Sequence, residues 1–561
     1  MGHISVAHLA YAHPGGELLF SDVSFQVSPG QHVGLVGFNG VGKTTLLRIL
    51  AGELSPDEGE VSVGGIKAYM PQDVGVGGDP RSVRELLLSL APAALRRAGE
   101  RMLTFEEQLT SGDAAAGIKL GAAIGDWSAL GGYELEGQWD AACRRIIRQS
   151  FAEVAERRAA TLSGGERKQL VLEVLLASDA DVLLIDEPDN FLDVPAKLAL
   201  EQRIRGAKKT VLMISHDREL LSGAVGSIVT LEGNGAWVHG GSYATYPQAR
   251  AERQERLGDA VKRWHEEERR LFRMMKTFKE RARYYDSWAK KANAAETRWQ
   301  RFRDAGPPPA PVVDTSIVVR LRGGDSARRV LDLRSLGIAD LVSPFSDEIH
   351  FGERVGMIGP NGSGKSQLMR VLAGLRDPDA GELVVGPRVS PGLFTQLQTR
   401  GDLTGRVVIE VVLERVPGGG VQVAMAALAR YGLAEAANRS YDVLSGGEKA
   451  RLEVLTLELE GHNLLLLDEP TDNLDIDSSE ALERALDRFA GTVVAVSHDR
   501  AFLRTLDRFL MLLHDGTVLA LPTYDSALEA LMNPEAAAEV RLAKMISRGA
   551  GNAARTFVQR R

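Results

Sequence analysis

Every motif of consequence in this 561-residue chain occurs twice, in the same order and, from the LSGGE segment onward, at the same spacing. A glycine loop, GFNGVGKTT from Gly37 to Thr45, is matched by GPNGSGKS from Gly359 to Ser366. LSGGE runs from Leu162 to Glu166 and again from Leu444 to Glu448, and VLLIDEP ending at Pro188 is matched by LLLLDEP ending at Pro470. Ser163 and Asp186 lie 23 residues apart, as do Ser445 and Asp468; Asp186 to His216 and Asp468 to His498 are both 30. Such repetition marks a duplicated unit, so the fold has to be found only once. The copies differ between Gln72 and Ser163, where the first is about 40 residues longer. That excess is helical in composition and predicts an enlarged helical subdomain at about 80–160.

Within each unit, apolar runs such as HVGLVG and TVLMIS alternate with helical patterns, which predicts α/β units with a mostly parallel, helix-covered sheet. The units span 1–247 and 317–533. Between them, 248–316 is charged and amphipathic, and it holds no Gly or Pro from Asp259 to Ala305, so it should be helix. It ends in GPPPAPVV, a stiff connector. For the two units to sit together the helix must fold back as a hairpin, with its turn placed between Lys276 and Lys291. Net charge is −8, but Arg250 to Arg303 carries 17 Lys/Arg against 9 Asp/Glu, and the tail at 534–561 is basic. An acidic body with two basic segments can bind nucleic acid locally. The amino terminus lacks signal-peptide character and no run of about 18 apolar residues occurs, so the chain is expected to be soluble and cytoplasmic. The single cysteine, Cys143, excludes an intramolecular disulfide and a thiolate metal cluster.

The chemistry lies in the repeated motifs. A Gly-x-x-x-x-Gly-Lys-Ser/Thr loop after a strand lets backbone N–H groups curl around phosphates at a helix N-terminus, which assigns Gly37, Asn39, Gly40, Gly42 and Thr45, and Gly359, Asn361, Gly362 and Gly364, to ATP binding. Lys43 and Lys365 reach the β- and γ-phosphates, and Thr44 and Ser366 ligate Mg²⁺. Asp186 and Asp468, ending apolar strands, are placed to hold Mg²⁺ through water, and Glu187 and Glu469 to orient and deprotonate the attacking water. His216 and His498, each in SHDR, are placed to donate to the γ-phosphate. Gln72 and Gln396, 29 and 31 residues after the loop lysines, are suited to sense Mg²⁺ and the water.

LSGGE upstream of an apolar run ending in DEP resembles the signature of ABC ATPases, in both halves of the chain. The resemblance implies two tandem P-loop ABC ATPase domains forming an ATP sandwich. The signature of one domain would complete the site of the other: Ser163, Gly164 and Gly165 cap the nucleotide on Lys365, while Ser445, Gly446 and Gly447 cap that on Lys43. Such pairing within one chain makes a monomer a sufficient functional unit. Tandem cassettes with no membrane domain and a charged helical linker resemble the ABC-F family, and GGSYATYPQAR (Gly240 to Arg250) and AAETRWQRF (Ala294 to Phe302) resemble that family's linker ends. This resemblance implies a ribosome partner. Lys276, Lys279, Arg281, Arg283, Lys290 and Lys291 would meet rRNA or tRNA phosphates, and Tyr284, Tyr285 and Trp288 would stack on bases; a solvated charged face and a hydrophobic seam inside the hairpin is the alternative. The function implied is antibiotic resistance by ribosome protection or a general translation role.

The chain also departs from the family pattern. The family's Asn-His-Leu-Asp after DEP is replaced by Asn190-Phe191-Leu192-Asp193 and Asp472-Asn473-Leu474-Asp475. Tyr11 is placed to stack on adenine in the first site, with no aromatic counterpart in the second, where Leu341 stands nearby. No extra arm and no C-terminal coiled coil are apparent. Two other readings stay open: an ATPase acting on DNA through the linker and tail, and a fused ATPase energising a separate membrane permease, which would lack the basic linker.

Overall fold

The computed structural model describes residues 2–534 apart from 14, 17, 76–79, 114, 234, 313–316, 396–401 and 417. Gln396 and the tail from 535 onward therefore lie outside the described residues.

The first unit contains strands β1 (Ile4–Ala12), β2 (Leu18–Val27), β3 (His32–Val36), β4 (Glu58–Val63), β5 (Lys67–Met70), β6 (Val182–Asp186), β7 (Thr210–Ile214), β8 (Ser227–Glu232) and β9 (Gly235–His239). Their order is β4-β1-β2-β9-β8-β3-β7-β6-β5. From β5 to β8 the strands run parallel, and β9 turns antiparallel on β8. The second unit has β10 (Arg329–Ile338), β11 (Val342–His350), β12 (Arg354–Ile358), β13 (Ala380–Val385), β14 (Pro391–Phe394), β15 (Leu464–Asp468), β16 (Thr492–Val496), β17 (Arg508–Leu512) and β18 (Val518–Leu521). It repeats the plan, with the six-stranded sheet β14-β15-β16-β12-β17-β18 and the antiparallel trio β11-β10-β13. In the first unit the two sheets are one because a single bridge, Asp22 to Gly235, joins β2 to β9.

Strands β6, β7, β15 and β16 are buried at every residue, as continuous apolar runs covered by helices on both faces must be. Each therefore delivers its C-terminal residue to one edge of the sheet, where the loops carrying the repeated motifs converge. The longer insert of the first unit is helical, with helices Val83–Ser89, Ala93–Thr110, Ala116–Ala129 and Gly132–Ile146 around a core centred on Trp127 and Trp139. Cys143 is buried there, and burial pushes its thiol up to about 12, which makes it inert.

The connector is a helical hairpin. Its first helix, Tyr246–Ala282, has 37 residues and is about 55 Å long at 1.5 Å per residue. The chain turns through 283–288, within the window expected, and returns as Ala289–Asp304. No Gly or Pro makes the turn; a short 3₁₀ segment, Asp286–Trp288, does. The hairpin is held by aromatic pairs, Trp264 stacked on Phe302 at 5.4 Å and Phe272 against Trp299 at 5.4 Å. Among the described residues no single helix is long and apolar enough to cross a membrane.

The two units dock face to face, and each lends an apolar residue to the other. Val194, opening the helix Val194–Gly206, sits in the core of the second unit, and Ile476, opening Ile476–Asp487, packs on the core of the first. These positions are equivalent in the repeat.

Candidate ATP sites between the cassettes

Each glycine loop links a buried strand, β3 or β12, to a helix that starts at the loop lysine. Gly42 and Gly364 cap those helices in the left-handed region, at φ 99° and 93°, where a Cβ would be strained. Lys43 is buried, and its ammonium donates to the Gly37 and Phe38 carbonyls at 2.7 and 3.1 Å. Lys365 does the same to Gly359 and Pro360 at 2.8 and 2.9 Å. Burial lowers both lysines below the ordinary ammonium range, only partly countered by the carboxylates facing them. The loops thus hold a cation in waiting, satisfied by their own carbonyls.

Asp186 and Asp468 end β6 and β15 as buried carboxylates. Neither oxygen of Asp186 has a hydrogen-bond partner, and burial, then the Glu187 charge, pushes its carboxyl up to about 6. Thr44 and Ser366 stand beside the respective aspartates and favour their charged forms. An orphaned buried carboxylate next to a hydroxyl fits a hard cation that also takes phosphate oxygens.

Glu187 and Glu469 both adopt positive φ, 46° and 52°. Non-glycine residues held there carry local strain of the kind found at functional sites. In the first site, Gln72 and Asn190 donate to the Glu187 carboxylate at 2.7 and 2.6 Å, and His216 Nε2 lies 3.6 Å away. Burial and then the nearby Lys43 pull His216 down to about 4, so its ring is neutral near pH 7. In the second site the His498 backbone N–H donates to Glu469 at 3.0 Å, with the ring Nε2 at 3.5 Å, and burial again keeps that ring neutral. The position equivalent to Asn190 is Asp472. Burial first and the Asp472 charge second push Glu469 up to about 8.

The signature segments face the opposite loops. Ser445, Gly446 and Gly447 line the same cavity, of about 600 Å³, as Asn39, Gly40, Gly42, Lys43, Thr44, Thr45 and Gln72. Ser163, Gly164 and Gly165 line a second, of about 530 Å³, with Asn361, Gly362, Gly364, Lys365 and Ser366. Each signature serine caps its helix in a reciprocal box with the following glutamate. The second helical glycine of each signature leaves room for the loop after DEP. A Cβ on Gly165 would lie 2.8 Å from the Phe191 carbonyl, and one on Gly447 3.0 Å from that of Asn473. Those same carbonyls accept from the opposite glycine loop: Asn361 Nδ2 donates to Phe191 O and Asn39 Nδ2 to Asn473 O, both at 3.2 Å. The residues that depart from the family pattern therefore use their backbone, at φ 67° and 64°, to pin one cassette to the other.

The docking is completed by reciprocal ion pairs that the motif search passed over. Arg218 of the first SHDR pairs with Glu483 of the second cassette, and Arg500 of the second SHDR pairs with Glu201 of the first at 2.8 Å. The constant repeat offset is the signal that would have found them. Arg250, at the foot of the hairpin, lies over the Phe38 ring and pairs with Glu232 at 3.2 Å and with Asp477 of the second cassette at 3.1 Å. The linker is thereby tied to both halves of the first site.

His13 and Leu19 also line the first cavity. Tyr11 packs edge-on against His13 at 6.1 Å and tilted on Phe20 at 6.3 Å, partly buried against the core of the first unit. Leu341 lines the second cavity.

At the hairpin tip, Tyr284 and Tyr285 are 81% and 65% exposed. Lys276, Arg283 and Lys290 are exposed as well. Lys279 is paired with Glu296 at 2.5 Å. Trp288 is half-buried on Phe278 at 5.5 Å, with Arg281 and Lys291 over its ring at 4.8 and 4.6 Å. The tip thus divides into an inward clasp and an outward basic, aromatic face.

A family profile described as "ABC transporter" matches residues 20–190 and 342–472. The chain is 43% identical over 92% of its length to the "Antibiotic resistance protein" of Mycobacteroides abscessus, covering 98% of that protein. It is 32% identical to the "Tylosin resistance ATP-binding protein TlrC" of Streptomyces fradiae, over 89% of this chain and 95% of that one. It is 30% identical to "ABC transporter F family member 2" of Arabidopsis thaliana, over 90% of this chain and 75% of the relative. With two cassettes of one plan, facing cavities and a hairpin between them, the chain belongs to the ABC-F family of tandem ABC ATPases.

Proposed function

We propose that this ATPase binds the ribosome in its ATP-bound, closed form, acts there through the hairpin, and protects translation from ribosome-targeting antibiotics. The observation that carries the reading is the outward face of the hairpin tip, where Lys276, Arg283 and Lys290 flank two exposed tyrosines. Basic groups beside exposed rings suit a folded RNA, whose phosphates and unstacked bases they meet. Two relatives that cover nearly the whole chain are named for antibiotic resistance, one of them for resistance to tylosin.

In the proposed cycle, ATP binds Lys43 and Lys365, whose ammonium groups exchange loop carbonyls for phosphate oxygens. The opposite signatures, Ser445 to Gly447 and Ser163 to Gly165, close over the phosphates. Thr44 with Asp186, and Ser366 with Asp468, would hold Mg²⁺, which supplies charge neutralisation on the phosphates. Glu187 and Glu469 orient a water and accept its proton as it attacks. Neutral His216 and His498 each donate a hydrogen bond to the terminal phosphate. Closure places Arg250 between Phe38, Glu232 and Asp477, so the hairpin takes its posture from the closed first site. Hydrolysis loosens the sandwich and releases the ribosome.

Cell-free translation inhibited by tylosin tests the reading. The protein should restore synthesis in an ATP-dependent manner, and a variant with Lys276, Arg283 and Lys290 changed to Glu should not. Equal restoration by that variant would remove the hairpin from the mechanism, and no restoration against any macrolide would remove antibiotic protection.

A further inference from the structure

The two nucleotide cavities share a wall. Asp189, Asn190, Lys197 and Asp472 line both of them, and among the described residues Lys197 is the one cation that does so. Lys197 lies on the helix Val194–Gly206, and its side chain is only 11% exposed. Its ammonium is 3.4 Å from Asp217, which Arg500 of the second cassette also approaches, at 3.5 Å. The carboxylates acting on it are Asp217 and Asp189 from the first cassette and Asp499 and Asp472 from the second. Burial alone would favour an uncharged amine; these four carboxylates, two from each side, reverse that and keep the group charged. Ser215 fixes Asp189 with a hydrogen bond of 2.7 Å.

The repeat shows that this arrangement is not inherent in the cassette. The residues equivalent to Asp189 and Lys197 in the second copy are Thr471 and Ser479, both uncharged. A buried ion pair has been placed on one side of a pseudo-symmetric interface, at the one wall common to both sites. With Lys43 lining one cavity and Lys365 the other, two bound ATP molecules would set terminal phosphates on the two sides of that wall, where they would repel each other through a poorly screened interior. A cation set between them offsets the repulsion. Half of its carboxylate cage arrives with the second cassette, so the cage is complete only when the interface is closed.

We propose that Lys197, held by Asp189 and Asp217, is a positioning residue that couples the two ATP sites: closure on the first ATP assembles the cation that favours binding of the second. The inference rests on the two cavities being the nucleotide sites, and the number of ATP molecules bound reports on that separately.

The test is equilibrium ATP binding, with Mg²⁺, to the full chain carrying Glu187→Gln and Glu469→Gln, which keeps ATP unhydrolysed. The parent should bind two ATP with a Hill coefficient above one. Installing the second copy's residues in the first, Asp189→Thr with Lys197→Ser, removes cation and counter-charge together. It should still bind two ATP, but with a Hill coefficient of one or below and the second affinity weakened at least about fivefold, the lower end of ordinary site-site coupling. Lys197→Arg, which keeps the charge, should retain cooperativity. An unchanged Hill coefficient in the swapped protein, equal loss in Lys197→Arg, or a parent with no cooperativity would each overturn the proposal. So would a swapped protein that binds fewer than two ATP, since the pair would then be a requirement of the interface itself.

Discussion

Replacing Asp472 by Asn asks whether the two ATP sites work with unequal bases. In the first site Asn190 donates to Glu187 at 2.6 Å. In the second the equivalent residue is a carboxylate, and burial followed by its charge pushes Glu469 up to about 8. The sign follows directly: a raised carboxyl is neutral below its pKa, so base function in the second site is lost as pH falls through about 8. At pH 7 a carboxyl titrating one unit higher is ionised in roughly one molecule in ten. Asp472→Asn removes the repulsion and offers an amide donor, so the gain at pH 7 has a ceiling of about tenfold. The assay is kcat/KM against pH in a Glu187→Gln background, because kcat/KM reads the ionisation of the free enzyme and the background isolates the second site. Unsubstituted, the rate should climb from pH 6 to 8; with Asp472→Asn the limb should move to lower pH and the rate at pH 7 should rise. Superimposable profiles, or a parent profile already flat from pH 6, would refute the assignment of Asp472.

Other consequences are as direct. Glu187→Gln with Glu469→Gln should cut steady-state phosphate release by about a hundredfold or more, the range for losing a general base, while ATP stays bound; retained turnover would remove both glutamates as bases. Arg218→Met and Glu483→Gln should each weaken ATP-driven closure, and their double-mutant cycle, read from apparent ATP affinity, should show a coupling of about 1–3 kcal/mol, since both side chains are largely shielded from water; additivity would mean the pair is idle. Changing Lys276, Arg283 and Lys290 to Glu should weaken ribosome binding and flatten its dependence on salt, as phosphate contacts are lost; an unchanged salt slope would place the contact elsewhere. Leu341→Tyr should tighten ATP in the second cavity by adding a ring where Leu341 stands; unaltered affinity would show that the base sits away from it.

The fold was legible because the chain states it twice. Buried parallel strands appear as unbroken apolar runs, and VLLID and LLLLD end where a phosphate site needs a carboxylate. The facing of signatures and loops came from family resemblance, and the residues it named line two shared cavities. What was not legible depends on packing and backbone geometry rather than on residue type. The hairpin turn carries no breaker residue, so only a window could be read for it; at the turn Trp288 packs on Phe278 with Arg281 and Lys291 over its ring. Phe191 and Asn473 read as defects in a motif, yet they act through backbone carbonyls, which side-chain identity does not report. Tyr11 lies in β1 while His13 follows the strand's end, so the placing of its ring depends on where the strand stops, which the residue pattern does not mark. Lys197 carries no motif and its burial depends on packing distant in sequence, so nothing in the residue pattern marks it.

The central claim is that ATP-driven closure of the cassettes presents the hairpin to the ribosome. Co-sedimentation of the Glu187→Gln, Glu469→Gln protein with purified ribosomes, in ATP or ADP and at two salt concentrations, tests it most directly. The account predicts pelleting with ATP, not with ADP, and less of it at the higher salt. A protein that holds ATP fully yet stays in the supernatant would contradict it.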